Sequence, residues 1–338
     1  MSSILAQAFS SRLFRGSYPD EKPAVDLEIK GSEQERKRLA ALVNRLAESS
    51  PFGRSVLEAA AAGGYSLSFE MQFSSFGFCE RDKKAIVLDP KVSDARLVSV
   101  LAHEGRHAQQ FSNGADENFG KRTVKSSLMY FRAMEADAEA AAAVTCLEMK
   151  GAGDAEPWDK FKAASPSIAG RLHFFEKMKN MRAASGMLGS AFEGWYEDPM
   201  IKEAYEIAYI LKPMKNAMKK KSYDDVPFDR AETSADIVHL ICRGPQGCYF
   251  ENHPDVLENP DRLDMASMTF SQVGHFFAVR QMHTGKEPDT SFHDLKTRRS
   301  PDGIIGAPLY CGGNFYSVKP AKPSAGILKA LSARQKGK

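Results

Sequence analysis

Apolar side chains recur along this chain with two different periods. From Ser32 the stretch EQERKRLAALVNRLAES places Leu39, Leu42, Val43 and Leu46 on one stripe, the spacing of an amphipathic helix. Ser50-Pro51 stops it, and GRSVLEAAAA predicts a second helix ended by Gly63-Gly64. The period then drops to two. YSLSFEMQF alternates apolar and polar positions, as a half-buried strand does, and KAIVL (Lys84 to Leu88) predicts a second strand. Gly77 and the charged run Glu80 to Lys83 between them suit a hairpin. Asp89-Pro90 ends the second strand, Ser93 or Asp94 can cap a helix, and ARLVSVLAHEGRHAQQF continues with Leu97, Val98 and Leu101 on its apolar face.

Residues 112–127 are polar and basic and read as a loop. LMYFRAMEADAEAAAAVTCLEM is a run of strong helix formers. Further helices are expected near 158–182 and 199–211, and around MASMTFSQVGHFFAVRQM. The pattern predicts an α+β, mainly helical fold. Residues 1–30, broken by Pro19 and Pro23, read as an irregular segment and 31–211 as the main domain. The lysine- and proline-bearing stretch 212–229 reads as a basic linker, 230–318 as a C-terminal subdomain and 319–338 as a basic mobile tail.

Of the 338 residues, 43% are hydrophobic and 26% charged, a balance that lets a sizeable core be buried and excludes disorder as the default. A net charge of +3 is too small to point to nucleic acid or a membrane as partner. No apolar run reaches the length of a membrane span. The N-terminal MSSILAQAFSSRLFRG lacks a basic stretch followed by an apolar one, so no secretory signal is expected. Five scattered cysteines, Cys79, Cys146, Cys242, Cys248 and Cys311, suit reduced thiols in the cytoplasm better than a disulfide framework.

The candidate chemistry lies in His103-Glu104-Gly105-Arg106-His107. Residues four apart share one helix face, so both imidazoles can reach one metal ion, while Glu104 is turned away by about a third of a turn and can serve as a base. A catalytic zinc takes three protein ligands and keeps a fourth place open. The third is expected from a second helix, and Glu135 suits it because Ala138, Ala141 and Ala142 permit close helix approach. Asp137 and Glu139 are the alternatives. Glu139, one turn beyond Glu135, can accept the free N–H of a ligating histidine.

The strand, the HExxH helix and a later helix bearing ExxxE resemble the gluzincin branch of the zincin zinc metallopeptidases. The stretch from about Pro51 to Leu147 is also similar to an uncharacterised bacterial family of metallopeptidases. Together these cover less than a third of the chain. The resemblance implies a zincin-like domain with a small β-sheet packed on the HExxH helix and a second, metal-ligand helix. It makes His103, His107 and Glu135 ligands of Zn2+, Glu104 the catalytic base and Glu139 the supporting acid. It also implies a protein or peptide substrate bound along the strand at Ala85, Ile86 and Val87 as an added β-strand. Two positions depart from the gluzincin pattern. Gly105-Arg106 fills the middle of the motif, where Arg106 calls for an acid such as Asp137 or Glu139, and Glu139 stands where Asp is usual.

Tyr196, Tyr205, His239 and His275 are the downstream candidates to stabilise an oxyanion. Trp195-Tyr196 reads as a buried aromatic anchor, and His239 and His173 as core histidines. Cys242, Cys248 and His253 suggest a second zinc site, but their spacing fits no common knuckle and isolated core thiols are expected. The lysines at 212–221 read as a solvated face. A second function class is a zinc-binding protein with a recognition role and little turnover. A third makes 230–318 a partner-binding module with the basic tail as an interaction or export signal.

Overall fold

Ser32 opens the first helix, α1 (Glu33–Ser49), with a capping box in which its hydroxyl and the Glu35 side chain satisfy each other's backbone N–H. Ser50 ends it and caps α2 (Pro51–Ala62), accepting the N–H of Gly53. The α1 stripe of Leu39, Leu42, Val43 and Leu46 is fully buried, as its spacing requires. These elements belong to a computed structural model that describes residues 18–72, 75–178, 185–244 and 247–299.

A four-stranded sheet follows, made of β1 (Glu28–Ile29), β2 (Ser66–Phe69), β3 (Gly77–Glu80) and β4 (Ala85–Leu88) in the order β1-β2-β4-β3. The two strands expected to form a hairpin, β2 and β4, instead run parallel, Ser66 opposite Ala85 and Phe69 opposite Leu88. The hairpin is made by β3, antiparallel to β4, and Lys84 at φ 48° closes its turn. Gly77 is required here. A Cβ on it would lie 2.7 Å from Val100 Cγ1 and 2.9 Å from the Val87 carbonyl oxygen, so only glycine lets β3 lie against the helix beneath.

That helix is α3 (Asp94–Ser112), which carries the HEGRH motif. Beside it runs α4 (Val124–Gly151), whose start lies well before Leu128 because Thr123 caps it and Asp289 Oδ2 accepts the Val124 N–H at 2.6 Å. From Val124 to Met149 every side chain of α4 except Lys125 is buried. A helix covered on all sides is the centre of its domain. It is packed by α2, α3, α5 (Glu156–Ala164), α6 (Pro166–Glu176) and α7 (Ser185–Tyr196). The helical stretch expected near 158–182 is divided at Ser165-Pro166, since proline has no N–H to continue the ladder, and its residues 179–182 lie outside the described residues.

A long helical segment then changes pitch. Between α8 (Pro199–Glu206) and α9 (Lys212–Lys220), residues Ile207–Leu211 form a π-turn in which the Lys212 N–H reaches the Ile207 carbonyl. Pro213 accounts for it: lacking an N–H, it cannot bond the Tyr209 carbonyl four residues back, and its ring crowds that oxygen. Residues 212–229 are therefore not a linker. Met214 and Ala217 of α9 are buried, as is Tyr223 in the turn that follows.

The remaining elements are α10 (Ser234–Ile241), the short hairpin β5 (Arg243–Gly244) and β6 (Gly247–Cys248), then β7 (Met265–Ala266), α11 (Ser267–Thr284) and β8 (Thr297–Arg298). One hydrophobic core runs without a break from Val25 to Phe292. No helix of the described residues is long and apolar enough to cross a membrane. The expected tail 319–338 and Cys311 lie outside the described residues.

Candidate metal centre

His103 and His107 sit one turn apart on α3, with their Nε2 atoms 3.0 Å from each other. Glu135 on α4 faces both, its Oε2 lying 3.6 Å from His103 Nε2 and 3.7 Å from His107 Nε2. Donor atoms of these three residues form a buried cluster suited to a metal ion. A tetrahedral ion with bonds of about 2.1 Å has edges of about 3.4 Å, which these separations match. The other ring nitrogens are committed elsewhere. His103 Nδ1 is 3.0 Å from Glu139 Oε2, and His107 Nδ1 is 2.8 Å from Gln110 Oε1. Each contact takes the Nδ1–H, so Nε2 is the atom left to face an ion.

The supports are themselves supported. Ser165 Oγ, at the break between α5 and α6, donates to Glu139 Oε1 at 3.0 Å. The Gln110 amide donates to the Met134 carbonyl and to Asp137 Oδ2, which turns its oxygen toward His107. Asp137 also receives Arg106 and the hydroxyl of Tyr249, at 2.8 Å. The unusual middle of the motif follows from packing. Gly105 faces α2, where a Cβ would lie 3.0 Å from Val56 Cγ1, and Arg106 reaches across to α4. The acids of α4 are no solvated face: Glu135, Asp137 and Glu139 are 5%, 0% and 3% exposed.

The cluster opens into a cleft of about 110 Å³ whose lining includes Gly77, Cys79, Glu104, Glu117, Phe119 and Tyr209. Glu104 has no hydrogen-bond partner among the described residues, so its carboxylate is available to a molecule in the cleft. Tyr209 projects from the π-turn and donates its hydroxyl to Glu135 Oε1 at 2.6 Å. Phe119 and Tyr205 stack on its ring, each 5.3 Å away, and hold it in place.

Charge in the cleft is arranged by burial and by mutual attraction. Burial alone would lower the His103 pKa, but Glu135 and Glu139 hold it well above its ordinary value. His107 is raised against burial by Glu135. Burial would raise the Glu135 carboxyl, yet the two histidines hold it far below the usual carboxylate range. Positive charge is thus favoured where these groups converge, whether carried by protons or by a divalent ion. Burial pushes the Glu104 carboxyl up, with His103 and His107 opposing, which makes it a stronger base than an exposed glutamate.

Several expectations are corrected. Strand β4 is paired on both sides, by β2 and β3, so Ala85, Ile86 and Val87 offer no free backbone edge to a substrate. The outer strands of this sheet are β1 and β3, and it is β3 whose Gly77, Phe78 and Cys79 line the cleft. Tyr196, Tyr205, His239 and His275 are not among the cleft-lining residues. Tyr196 is buried beside Trp195, as expected of an anchor. His173 and His239 are not core histidines: their side chains are 62% and 47% exposed. On α10 the buried face is Ile237, Val238 and Ile241, which turns His239 outward. Cys242 is buried, but Cys248 is only half-buried and His253 is exposed.

Gln110, Ser165, Tyr209 and Tyr249 escaped sequence reasoning. Gln110 alone carried a local signal, lying one turn after His107 on the same face.

Two buried imidazoles, a carboxylate facing them and a second carboxylate free beside them place this protein among those built to hold a metal ion in a cleft. More particularly, the chain belongs to the "Putative metallopeptidase family", which it matches over residues 20–251. That span takes in the sheet, α3, α4, Tyr209 and Tyr249. No curated protein and no solved structure matches the chain.

Proposed function

We propose that this chain is a zinc-dependent peptidase in which His103, His107 and Glu135 hold the metal. The observation that carries the reading is the convergence of both Nε2 atoms on Glu135 Oε2, with each Nδ1 tied to an acceptor and Glu104 open to the same cleft. Two imidazole nitrogens and one carboxylate are a three-ligand set that suits zinc with a position left open. Zinc held there supplies Lewis acidity, polarising a peptide carbonyl and acidifying water.

The chain's own groups do the rest. Glu104 takes the proton of the attacking water and returns it to the leaving amine. Glu139 and Gln110 hold the two imidazoles in orientation. As charge develops on the carbonyl oxygen, the Tyr209 hydroxyl turns its proton from Glu135 Oε1 to that oxygen. The outer edge of β3 receives the substrate backbone as an added strand, and Cys79 and Phe78 flank the scissile bond.

The test is metal content together with peptide hydrolysis. Glu104→Gln should keep one zinc at this site and lose hydrolysis by about 10²-fold or more. His103→Ala and Glu135→Ala should each lose the metal. Activity surviving in Glu104→Gln removes the assigned base, and zinc retained in Glu135→Ala moves the third ligand to another acid of α4.

A further inference from the structure

The short hairpin β5–β6 is a slight element for the position it holds. Each strand has two residues, and Tyr249, directly after β6, carries its hydroxyl inward to Asp137, the acid that grips Arg106 and Gln110 of α3. On the outer side of this hairpin three side chains of different donor chemistry come together. They are His239 from α10, Cys248 from β6 and Glu251 from the turn beyond, with one donor atom of each within 4.8 Å of the others. His239 Nδ1 and Glu251 Oε2 are 3.6 Å apart. The Cys248 thiol donates to the Val238 carbonyl at 3.4 Å and also meets the backbone N–H of Phe250. Arg243, its partner across the hairpin, and His239 are the cationic groups facing this patch.

We propose that His239, Cys248 and Glu251 form a second zinc site, distinct from the cleft, that staples the β5–β6 hairpin to α10. A thiolate, an imidazole and a carboxylate together select zinc or a similar borderline-soft divalent ion over magnesium or calcium. Binding releases the thiol proton of Cys248 to solvent and replaces its contact with Val238 by a bond to the metal. The small change needed to close the ligand triangle falls on His239 and Glu251, whose side chains are 47% and 67% exposed. The site's effect on the cleft is indirect: it fixes the hairpin from which Tyr249 reaches Asp137.

Cobalt(II) substitution tests this without any need for turnover, because a cobalt–thiolate bond gives a near-ultraviolet charge-transfer band that the His103, His107 and Glu135 set cannot give. The full chain, stripped of metal and reloaded with cobalt, should show the band. It should persist in His103→Ala and vanish in Cys248→Ser, while Glu251→Gln should weaken this second site by roughly 10-fold or more. Zinc content should fall from two per chain to one in Cys248→Ser and in His103→Ala alike. No band in the wild-type chain overturns the proposal. A band that survives Cys248→Ser and disappears in His103→Ala also overturns it, by assigning the thiolate to Cys79 in the cleft. Loss of the cleft metal alone touches only the peptidase reading.

Discussion

Arg106 meets Asp137 edge to edge, with Nε 2.6 Å from Oδ2 and Nη2 2.9 Å from Oδ1, and both side chains are almost completely buried. This pair ties the HEGRH helix to the helix that carries Glu135. Removing one member leaves an uncompensated charge in the interior, which typically costs about 3–5 kcal/mol. Arg106→Ala is therefore expected to lower unfolding free energy by about that amount in denaturant titrations. It should also loosen metal binding, since Asp137 then no longer holds Gln110 in a single orientation. An Arg106→Ala chain as stable as wild type would show that the pair is not holding the two helices together.

Gln110 and Glu139 act on the histidines through Nδ1. Gln110→Leu and Glu139→Ala should each weaken metal affinity by about 10- to 100-fold while leaving the far-ultraviolet circular dichroism unchanged. Competition with a chelator of known affinity measures this directly. Equal affinity in all three proteins would mean that ring orientation is set by packing alone.

Tyr209 owes its place to the π-turn that Pro213 induces. Tyr209→Phe keeps the ring stack with Phe119 and Tyr205 but removes the hydroxyl. The expected result is a fall in kcat of about 10²-fold with little change in KM, as for other lost oxyanion donors. A change confined to KM would place the hydroxyl in ground-state substrate binding instead. Pro213→Ala should restore an ordinary helical turn and withdraw Tyr209 from Glu135, with a similar loss.

Glu176, at the end of α6, accepts Lys150 Nζ at 2.5 Å and Trp158 Nε1 at 3.0 Å, so one carboxylate joins α4, α5 and α6. Its carboxyl is lowered to about 2, chiefly by the hydrogen bond from Lys150, with burial opposing and Trp158 and Lys162 adding to the effect. A carboxyl depressed on folding contributes stability that is fully present above its unfolded value of 4.5 and is lost as pH falls toward about 2. Urea midpoints at pH 6 and pH 3 should therefore differ less for Glu176→Gln than for wild type. Identical pH dependence in the two would remove Glu176 from the acid response.

Periodicity and spacing carried much of the fold and the centre of the site. The helices around Leu39–Leu46 and Leu97–Leu101 and the strand Ala85–Leu88 were written in local patterns, because side-chain direction repeats with backbone geometry. The face shared by His103 and His107 was legible for the same reason. Glu135 and Glu139 were legible by their four-residue spacing on a helix rich in alanine.

Strand pairing was not legible. Nothing local separates a β2–β4 hairpin from parallel strands with β3 folded onto the outside, because GFCE is too short to alternate clearly and its place is set by Gly77 against Val100. On that account the strand that lines the cleft is β3 and not β4. Burial of the α4 acids was hidden too: a sequence rich in Glu and Asp reads as solvated until Arg106, Gln110, Tyr209 and Tyr249 are brought in from elsewhere in the chain. The sequence by itself determined the elements and the donor atoms each could present, since these depend on neighbours within a turn or two. Only the tertiary structure decided which donors meet and which edge stays free, since those depend on the packing of segments up to Tyr249 and Asp289 around one central helix.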